Sequence, residues 1–378
     1  MSDQPPVTDA DAASSLSTPL GGSSTTLAPA GGDSSDEGGQ ISLGARLRQP
    51  RTIISLGIPL VLLVLIFRVA LNVDFAELAS SVASANKLLL LAAFLVFYAG
   101  FPMRGLRWAI LLKGAGINVG VKDSTEILFL SWTVNCLVPA KLGDLYRAFL
   151  LKINANVSGS RTLGTVFIER ILDLFAIALM GLAAGFWSFR SGFPPEIQFV
   201  AILGIGVIVA LAGFLFAVRN FGRAILGRLP VPERALELYD RFEEGLFSIN
   251  RRTLGPLVLL TVAIWATEGL RLWFVIQALN LPGVSLGISG AFFVAFIGSL
   301  LTAVPLSPAG LGTVELGVVG VLTLAYGIAG QEATTIILVD RLISVFSIIV
   351  FGSILYLVSP IRRGAGLSQP VEVAVPAS

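Results

Sequence analysis

Two stretches of the chain interrupt apolar segments with proline and glycine and carry polar side chains at the break. The first reads NCLVPAKLGD at residues 135–144, and the second reads VPLSPAGLGTVE at residues 304–315. Proline removes a backbone donor and glycine relieves backbone strain, so both stretches should break a helix. A helix that restarts there directs free N–H groups and about half a positive charge at the gap. With Lys141 and Arg147 nearby, the first break suggests a phosphate site. The alternative is that each break is an ordinary turn between two helices.

Ionisable residues also occur inside apolar segments. They are Glu169, Arg170, Asp173, Glu268, Arg271, Glu315, Asp340 and Arg341. A charge at the bilayer centre costs roughly 2.5–3.5 kcal/mol on insertion scales, so such residues are functional candidates. Arg170 and Arg341 could each hold a hairpin carboxylate or a lipid phosphate through two hydrogen bonds. The alternative is ion pairing that only fixes the helices, which we favour for Glu268 with Arg271.

The candidate substrate-binding residues combine both breaks with these charges. They are Asn135, Pro139, Lys141, Gly143, Asp144, Arg147, Glu169, Arg170, Asp173, Ser307, Pro308, Gly310, Gly312, Glu315, Asp340 and Arg341. The chain has no histidine, one cysteine and no G-x-x-x-x-G-K-[ST] motif. This excludes histidine-dependent hydrolases and thiolate metal clusters, and argues against direct use of ATP. We expect no catalytic residue, no metal and no cofactor.

The elements that position these residues are apolar helices. The chain is 54% hydrophobic and 13% charged, whereas soluble proteins have roughly 25% charged residues. Apolar segments, most of them long enough for a hydrocarbon core of about 30 Å, lie at about 53–70, 88–103, 124–138, 163–187, 197–218, 254–279, 287–304, 310–329 and 334–358. The predicted fold class is therefore an all-α, polytopic helical integral membrane protein.

The distribution of basic residues predicts the topology, because cytoplasmic loops are enriched in Lys and Arg. Two groups of basic residues flank the apolar stretch 124–138 of segment 124–151. Arg104, Arg107, Lys113 and Lys122 precede it, and Lys141, Arg147, Lys152 and Arg161 follow it. It is predicted to be a re-entrant hairpin from the cytoplasm. Stretch 287–328, between loops without basic residues, is predicted to re-enter from the opposite face. The alternative is that each hairpin is two full spans. Both termini are predicted to be cytoplasmic.

Short matches indicate an internal duplication. Residues 105–108 match 269–273 at an offset of 164, Val138-Pro139 matches Val304-Pro305 at 166, and Glu169-Arg170 matches Asp340-Arg341 at 171. Repeat one would cover about 88–190 and repeat two about 254–358, joined by span 197–218. With the predicted topology the repeats are inverted, an architecture that recurs in transporters.

The remaining segments are polar. Residues 1–45 form a predicted disordered N-terminal tail, because their composition cannot offset the entropy of ordering. Residues 362–378 form a predicted C-terminal tail, which leaves 50–360 as the transmembrane domain. Residues 231–252 have leucine and phenylalanine at helical spacing. They are predicted to form an amphipathic helix at the membrane surface or a solvated connector.

Four ordered motifs resemble the lysylphosphatidylglycerol synthase transmembrane-region family, which is also called flippase-like. They are NCLVPAKLGDLYRAFLLK, RTLGTVFIERILDL, PLSPAGLGTVELG and VDRLIS. The resemblance covers about residues 50–360 and implies a multi-pass inner-membrane domain that moves anionic, aminoacylated or polyprenyl-phosphate-linked lipids between leaflets. Gly143-Asp144 replaces the Gly-Glu that is frequent in the family and keeps the carboxylate. The chain ends within about twenty residues of its last apolar segment, so the aminoacyl-transferase domain of some members is not expected.

We therefore expect a membrane lipid translocase rather than an enzyme, with a phospholipid or polyprenyl-phosphate lipid as partner and no nucleic acid. One alternative is an intramembrane headgroup transferase that uses Asp144 or Glu169 as general base. Another is a non-catalytic membrane partner of a lipid or glycan synthase.

The predicted topology can be tested by cysteine labelling in a Cys136→Ser background. Cysteines at Ser191 and Gly283 should react with an impermeant maleimide from outside, and cysteines at Ser158 and Ser248 should not, because basic residues hold their loops inside. Outside labelling at Ser158 would contradict the inner re-entrant hairpin and with it the inverted repeat.

Overall fold

A computed structural model describes residues 75–190, 192, 195–226, 228, 232–303 and 307–368. Over these residues the protein is α-helical and contains no strand. The predicted all-α polytopic membrane fold is confirmed. The predicted tail 1–45, span 53–70 and the Val304-Pro305 match lie outside the described residues.

The described helices follow one another with short connections. They are α1 (Phe75–Ser84), α2 (Lys87–Gly114), α3 (Val121–Leu137), α4 (Leu142–Ala155), α5 (Gly159–Ser188), α6 (Pro195–Leu226), α7 (Glu233–Leu246), α8 (Arg251–Leu279), α9 (Ile288–Ala303), α10 (Thr313–Tyr326), α11 (Gly330–Arg341) and α12 (Ser347–Val358). Short 3₁₀ turns cover Pro308–Gly310 and Ile361–Arg363, and a π turn at Leu342–Phe346 joins α11 to α12.

Five helical stretches among the described residues are long and apolar enough to cross a membrane. They are Lys87–Gly114, Ala201–Leu226, Arg251–Leu279, Pro308–Tyr326 and Gly330–Val358. The apolar helix α9 is shorter. Large apolar side chains on α6, such as Phe199, Ile202 and Val209, are exposed, as expected for a helix that faces lipid.

Helix α2 corrects one sequence-based interpretation. The apolar segment was predicted to end at residue 103, with Arg104 and Arg107 in a cytoplasmic loop. Instead α2 continues to Gly114, and both arginines are buried within it, at 3% and 1% exposure. Carboxylates on other helices neutralise them, and this removes the reason for the helix to end before its first arginine.

The helices occur twice in the same order: a long helix, a two-helix hairpin and a second long helix. Asn86 caps α2 and Asn250 caps α8, an offset of 164. Both hairpins turn through consecutive left-handed residues, Ala140-Lys141 (φ 62° and 52°) and Ala309-Gly310 (φ 52° and 71°). The hairpins thus align at an offset of 169, which pairs Pro139 with Pro308 rather than Pro305. Inversion and re-entrance of the hairpins remain predictions.

Peripheral segments pack onto this frame. The amphipathic pattern at 231–252 corresponds to α7, whose Gly245 lies against α5; a Cβ added to Gly245 would meet the Arg161 carbonyl oxygen at 2.1 Å. Beyond α12, Asn154 Nδ2 donates to the Ile361 carbonyl at 2.7 Å. The Ser368 hydroxyl donates to buried Asp123 at 2.7 Å. Residues up to Ser368 of the predicted C-terminal tail therefore contact α3 and α4.

Replacement of Gly164 by alanine should loosen α7 from α5. The added Cβ would lie 2.1 Å from the Phe242 carbonyl oxygen, and such overpacking costs about 1–3 kcal/mol. Gly206→Ala is the matched control on α6, because its Cβ would meet nothing within 4 Å. We expect a lower melting temperature in detergent for Gly164→Ala only; equal melting of the two variants would contradict the close contact.

Candidate functional site

A cavity of about 380 Å³ lies between the two helical hairpins and the long helices. Its charged lining residues are Arg104, Arg107, Lys141, Glu169, Arg170, Asp173, Glu268, Arg271, Asp340 and Arg341. Another part of its wall is apolar and is formed by Leu174 and Ile177 of α5, Val294 of α9, and Val314 and Val318 of α10. The cavity therefore combines a charged wall with an apolar wall, as an amphiphilic ligand requires.

The carboxylates of α5 are held by arginines from α2 and α4. Arg107 donates to both oxygens of Asp173, at 2.6 and 3.1 Å, and to Glu169 at 3.0 Å. Arg147 donates to the other Glu169 oxygen at 2.6 Å. Trp265 of α8 adds an indole donor to Asp173 at 2.9 Å. These bonds fix α5 against α2, α4 and α8.

A similar set of bonds joins α8 to α11. Arg271 donates to both oxygens of Asp340, at 2.7 and 3.1 Å, and also contacts Glu268. Glu268 accepts a bond from Arg104 of α2 at 2.6 Å. Arg104 and Glu268 are 164 residues apart, the offset of the repeat, so this pair joins equivalent positions of the two long helices.

Each hairpin also presents a carboxylate to an arginine, at the third residue of its second helix. Arg170 donates through Nε and Nη2 to both oxygens of Asp144, at 2.9 and 2.7 Å. At the equivalent place, Arg341 Nε lies 2.8 Å from Glu315 Oε1. That N–H is not directed at the oxygen, and Nε, Nη2 and Oε1 are all buried without a hydrogen-bond partner among the described residues.

The ion pairs support the duplication more directly than the sequence matches do. Arg107 with Glu169 corresponds to Arg271 with Asp340, and Arg170 with Asp144 corresponds to Arg341 with Glu315. The offset between the two halves is 164 residues for the arginine of the long helix and 171 residues for the other members of these pairs. In each half the arginine pairs with the equivalent carboxylate. A pairing that is duplicated along with its helices indicates a shared architecture of the two halves.

The predicted site residues divide into two groups. Those in the cavity wall are Asn135, Lys141, Glu169, Arg170, Asp173, Ser307, Gly310, Asp340 and Arg341. Those outside the wall are Pro139, Gly143, Asp144, Arg147, Pro308, Gly312 and Glu315. Of the second group, Asp144, Arg147 and Glu315 still reach the wall through their ion pairs.

Several polar residues at the hairpin tips hold the backbone. Asn135 Oδ1 accepts the Gly143 N–H at 2.8 Å, and a Cβ on Gly143 would meet the Ser131 carbonyl oxygen at 2.0 Å. Ser307 donates to the Leu311 carbonyl at 2.8 Å. The Gly312 N–H donates to Glu315 Oε2 at 2.6 Å. These contacts fix each turn next to the cavity.

Sequence reasoning missed Arg104 and Arg107 because it placed them in a loop. The repeat offered a signal, since Arg107 corresponds to Arg271, which was recognised as intramembrane. Glu268 and Arg271 do form the favoured ion pair, but both also line the cavity. Among the described residues, no group of three or more Asp, Glu or Cys side chains is placed to hold a metal ion.

Comparison with known proteins agrees with this architecture. The family described as lysylphosphatidylglycerol synthase TM region matches residues 53–352. The chain belongs to this family. It is similar to a UPF0104 membrane protein of Methanocaldococcus jannaschii, with 38% identity over 224 residues that cover 59% of this chain and 92% of the relative. A UPF0104 membrane protein of Methanothermobacter thermautotrophicus is 26% identical over 303 residues, 74% of this chain and 86% of the relative.

A third relative has a longer chain. Glycosyltransferase AglD of Haloferax volcanii is 28% identical over 312 residues, which cover 73% of this chain but only 49% of the relative. The match to this relative therefore spans about half of its length.

Removal of one buried charge should destabilise the protein. Arg107→Met leaves Asp173 and Glu169 short of a counterion, and loss of one partner of a buried pair costs about 3–5 kcal/mol. Arg252→Met, on an exposed residue at the start of α8, is the control. Thermal unfolding in detergent should show a clearly lower melting temperature for Arg107→Met alone; similar melting of both would mean that the pairs carry little stability.

Proposed function

We propose that this protein is a membrane translocase that moves an anionic, phosphate-linked lipid between leaflets. The observation that carries the proposal is the two-sided cavity. Six cations and four carboxylates line its charged wall, whereas its remaining wall includes leucine, isoleucine and valine. A lipid headgroup and the start of its hydrocarbon chain match these two walls.

The duplicated hairpins support transport over catalysis. Helices interrupted by irregular backbone at membrane depth are tolerated where they line a cavity, and transporters place substrate sites between such broken helices. The carboxylates of the cavity are occupied by guanidinium groups, which leaves Asp144 and Glu169 poorly suited to act as general bases. We therefore propose a non-enzymatic role in a cell membrane, with both termini cytoplasmic.

A second candidate follows from the comparison with AglD. A region similar to this chain forms about half of a protein named as a glycosyltransferase. The chain would then be a non-catalytic membrane partner that presents a phosphate-linked lipid to a synthase. Both candidates require the cavity to hold the lipid, but only the first requires transport by the protein alone.

Transport can be tested in proteoliposomes that contain a fluorescent phosphatidylglycerol, with dithionite added outside. The wild-type protein should expose inner-leaflet lipid to bleaching. Ser299→Trp, which places an indole in the cavity wall, should lose most of that protein-dependent rate because the lipid path is filled. Leu259→Trp, at a 71% exposed position of α8, should keep it. Equal rates in empty and protein-containing vesicles would refute the translocase and favour the synthase partner.

A further inference from the structure

The charges around the cavity do not balance, and the imbalance identifies a class of ligand. The cluster consists of the charged lining residues together with Asp144, Arg147 and Glu315, which are ion-paired to them. Among the described residues it contains seven cations and six carboxylates. Each carboxylate has a guanidinium nitrogen within 3.0 Å. The cluster is therefore one negative charge short.

The excess positive charge lies at the tip of the first hairpin. Lys141 lines the cavity, and among the described residues no hydrogen bond or ion pair is formed by its ammonium group; its carbonyl accepts the Asp144 N–H at 3.0 Å. Its backbone is left-handed, with φ of 52°, a conformation that is uncommon for residues other than glycine. The equivalent position in the second hairpin is Gly310, which adopts this φ without strain.

Among the described arginines of the cavity wall, Arg104 and Arg107 each have one buried nitrogen without a hydrogen-bond partner, and Arg341 has two. Its Nε and Nη2 form the edge that Arg170 and Arg271 use to bind both oxygens of a carboxylate. On Arg341 both nitrogens are buried without a hydrogen-bond partner among the described residues, and the side chain lines the cavity at 8% exposure. Arg147 has the same two nitrogens unpaired, but it lies outside the cavity wall and over the Trp108 ring. Arg341 thus has two adjacent donors without an acceptor, beside the Glu315 carboxylate.

We infer that the cavity selects a lipid whose headgroup is a phosphodiester with a net charge of −1, bound by the Arg341 fork and neutralised by Lys141. This deepens the proposed function and rests on it, because it requires that the cavity hold a lipid. One negative charge completes the cluster, whereas an uncompensated charge in a buried site is costly. A phosphate monoester with two negative charges would give the cluster a net negative charge. A zwitterionic headgroup brings its own cation and leaves the excess in place.

Binding of lipids with identical dioleoyl chains tests this inference. Full-length protein in detergent is incubated at pH 7 with phosphatidylglycerol, phosphatidate, phosphatidylcholine and diacylglycerol at equal concentrations, and bound lipid is measured by native mass spectrometry; phosphatidate is mainly dianionic at this pH. Phosphatidylglycerol should exceed diacylglycerol by about ten- to a hundredfold, the effect expected of charge-assisted hydrogen bonds, and should exceed the other two lipids. Preference for phosphatidate or phosphatidylcholine would overturn the inference.

Two variants separate the roles of the fork and the charge. Arg341→Lys keeps the charge but loses the parallel donors, so phosphatidylglycerol binding should fall about tenfold or more while its preference over phosphatidylcholine remains. Lys141→Gln makes the cluster neutral, so that preference should disappear. The controls are Arg252→Lys on an exposed arginine of α8 and Lys152→Gln on an exposed lysine of α4. Unchanged selectivity in Lys141→Gln, with unchanged melting temperature, would refute the charge argument even if Arg341→Lys failed to fold.

Additional ligands distinguish the remaining outcomes. Dimethyl phosphate has the same charge without hydrocarbon chains, and its displacement of phosphatidylglycerol at micromolar concentration would reassign the site to a soluble phosphodiester. Oleate that binds as well as phosphatidylglycerol would overturn the phosphate assignment. Transport in vesicles without the predicted headgroup preference would refute this inference alone. Absence of both transport and lipid binding would refute the proposed function as well.

Discussion

Among the described residues, seven cations and six carboxylates, most of them buried, lie together between largely apolar helices, and the pairing of these charges constrains the fold. An unpaired charge in such a place is costly, and loss of one partner is more damaging than replacement of the pair. Arg107 requires α5 beside α2, Arg104 requires α8 beside α2, and Arg271 requires α11 beside α8. The ion pairs thus specify which helices are neighbours, whereas apolar side chains alone would allow many arrangements in lipid.

The two halves use this constraint in the same way but not to the same extent. In the first half, Arg170 and Asp144 satisfy each other through two bonds. In the second, Glu315 is engaged by the N–H of Gly312, and Arg341 retains unpaired donors. Lys141 of the first hairpin aligns with Gly310 of the second hairpin. The common order of helices and ion pairs fits the predicted duplication, and these differences make the cavity electrostatically asymmetric.

The amino-acid sequence was sufficient for the fold class and for much of the site, because both depend on local features. Low charge content and long apolar runs require membrane helices, and the Pro-Ala and Leu-Gly breaks mark the hairpin tips. Arg170 and Arg341 were expected to hold either a hairpin carboxylate or a lipid phosphate, and they lie beside Asp144 and Glu315. Arg104 and Arg107 were misplaced because hydropathy treats every arginine as a cost and does not detect a carboxylate 66 or 164 residues away. The alignment of the two hairpins follows from the backbone conformation of their turns. The sequence match between Pro139 and Pro305 does not show that conformation.

The long separation between paired charges has a consequence for biogenesis. Helix α2 is synthesised with Arg104 and Arg107 in its interior, and each arginine adds about 2.5–3.5 kcal/mol to the cost of placing an isolated helix in lipid. The counterion Asp173 follows 66 residues later, and Glu268 follows 164 residues after Arg104. Helix α2 therefore cannot reach its final environment until most of the chain has left the ribosome. A first half made alone would leave Arg104 without the carboxylate of Glu268, so the pairing of α2 requires both halves of the chain.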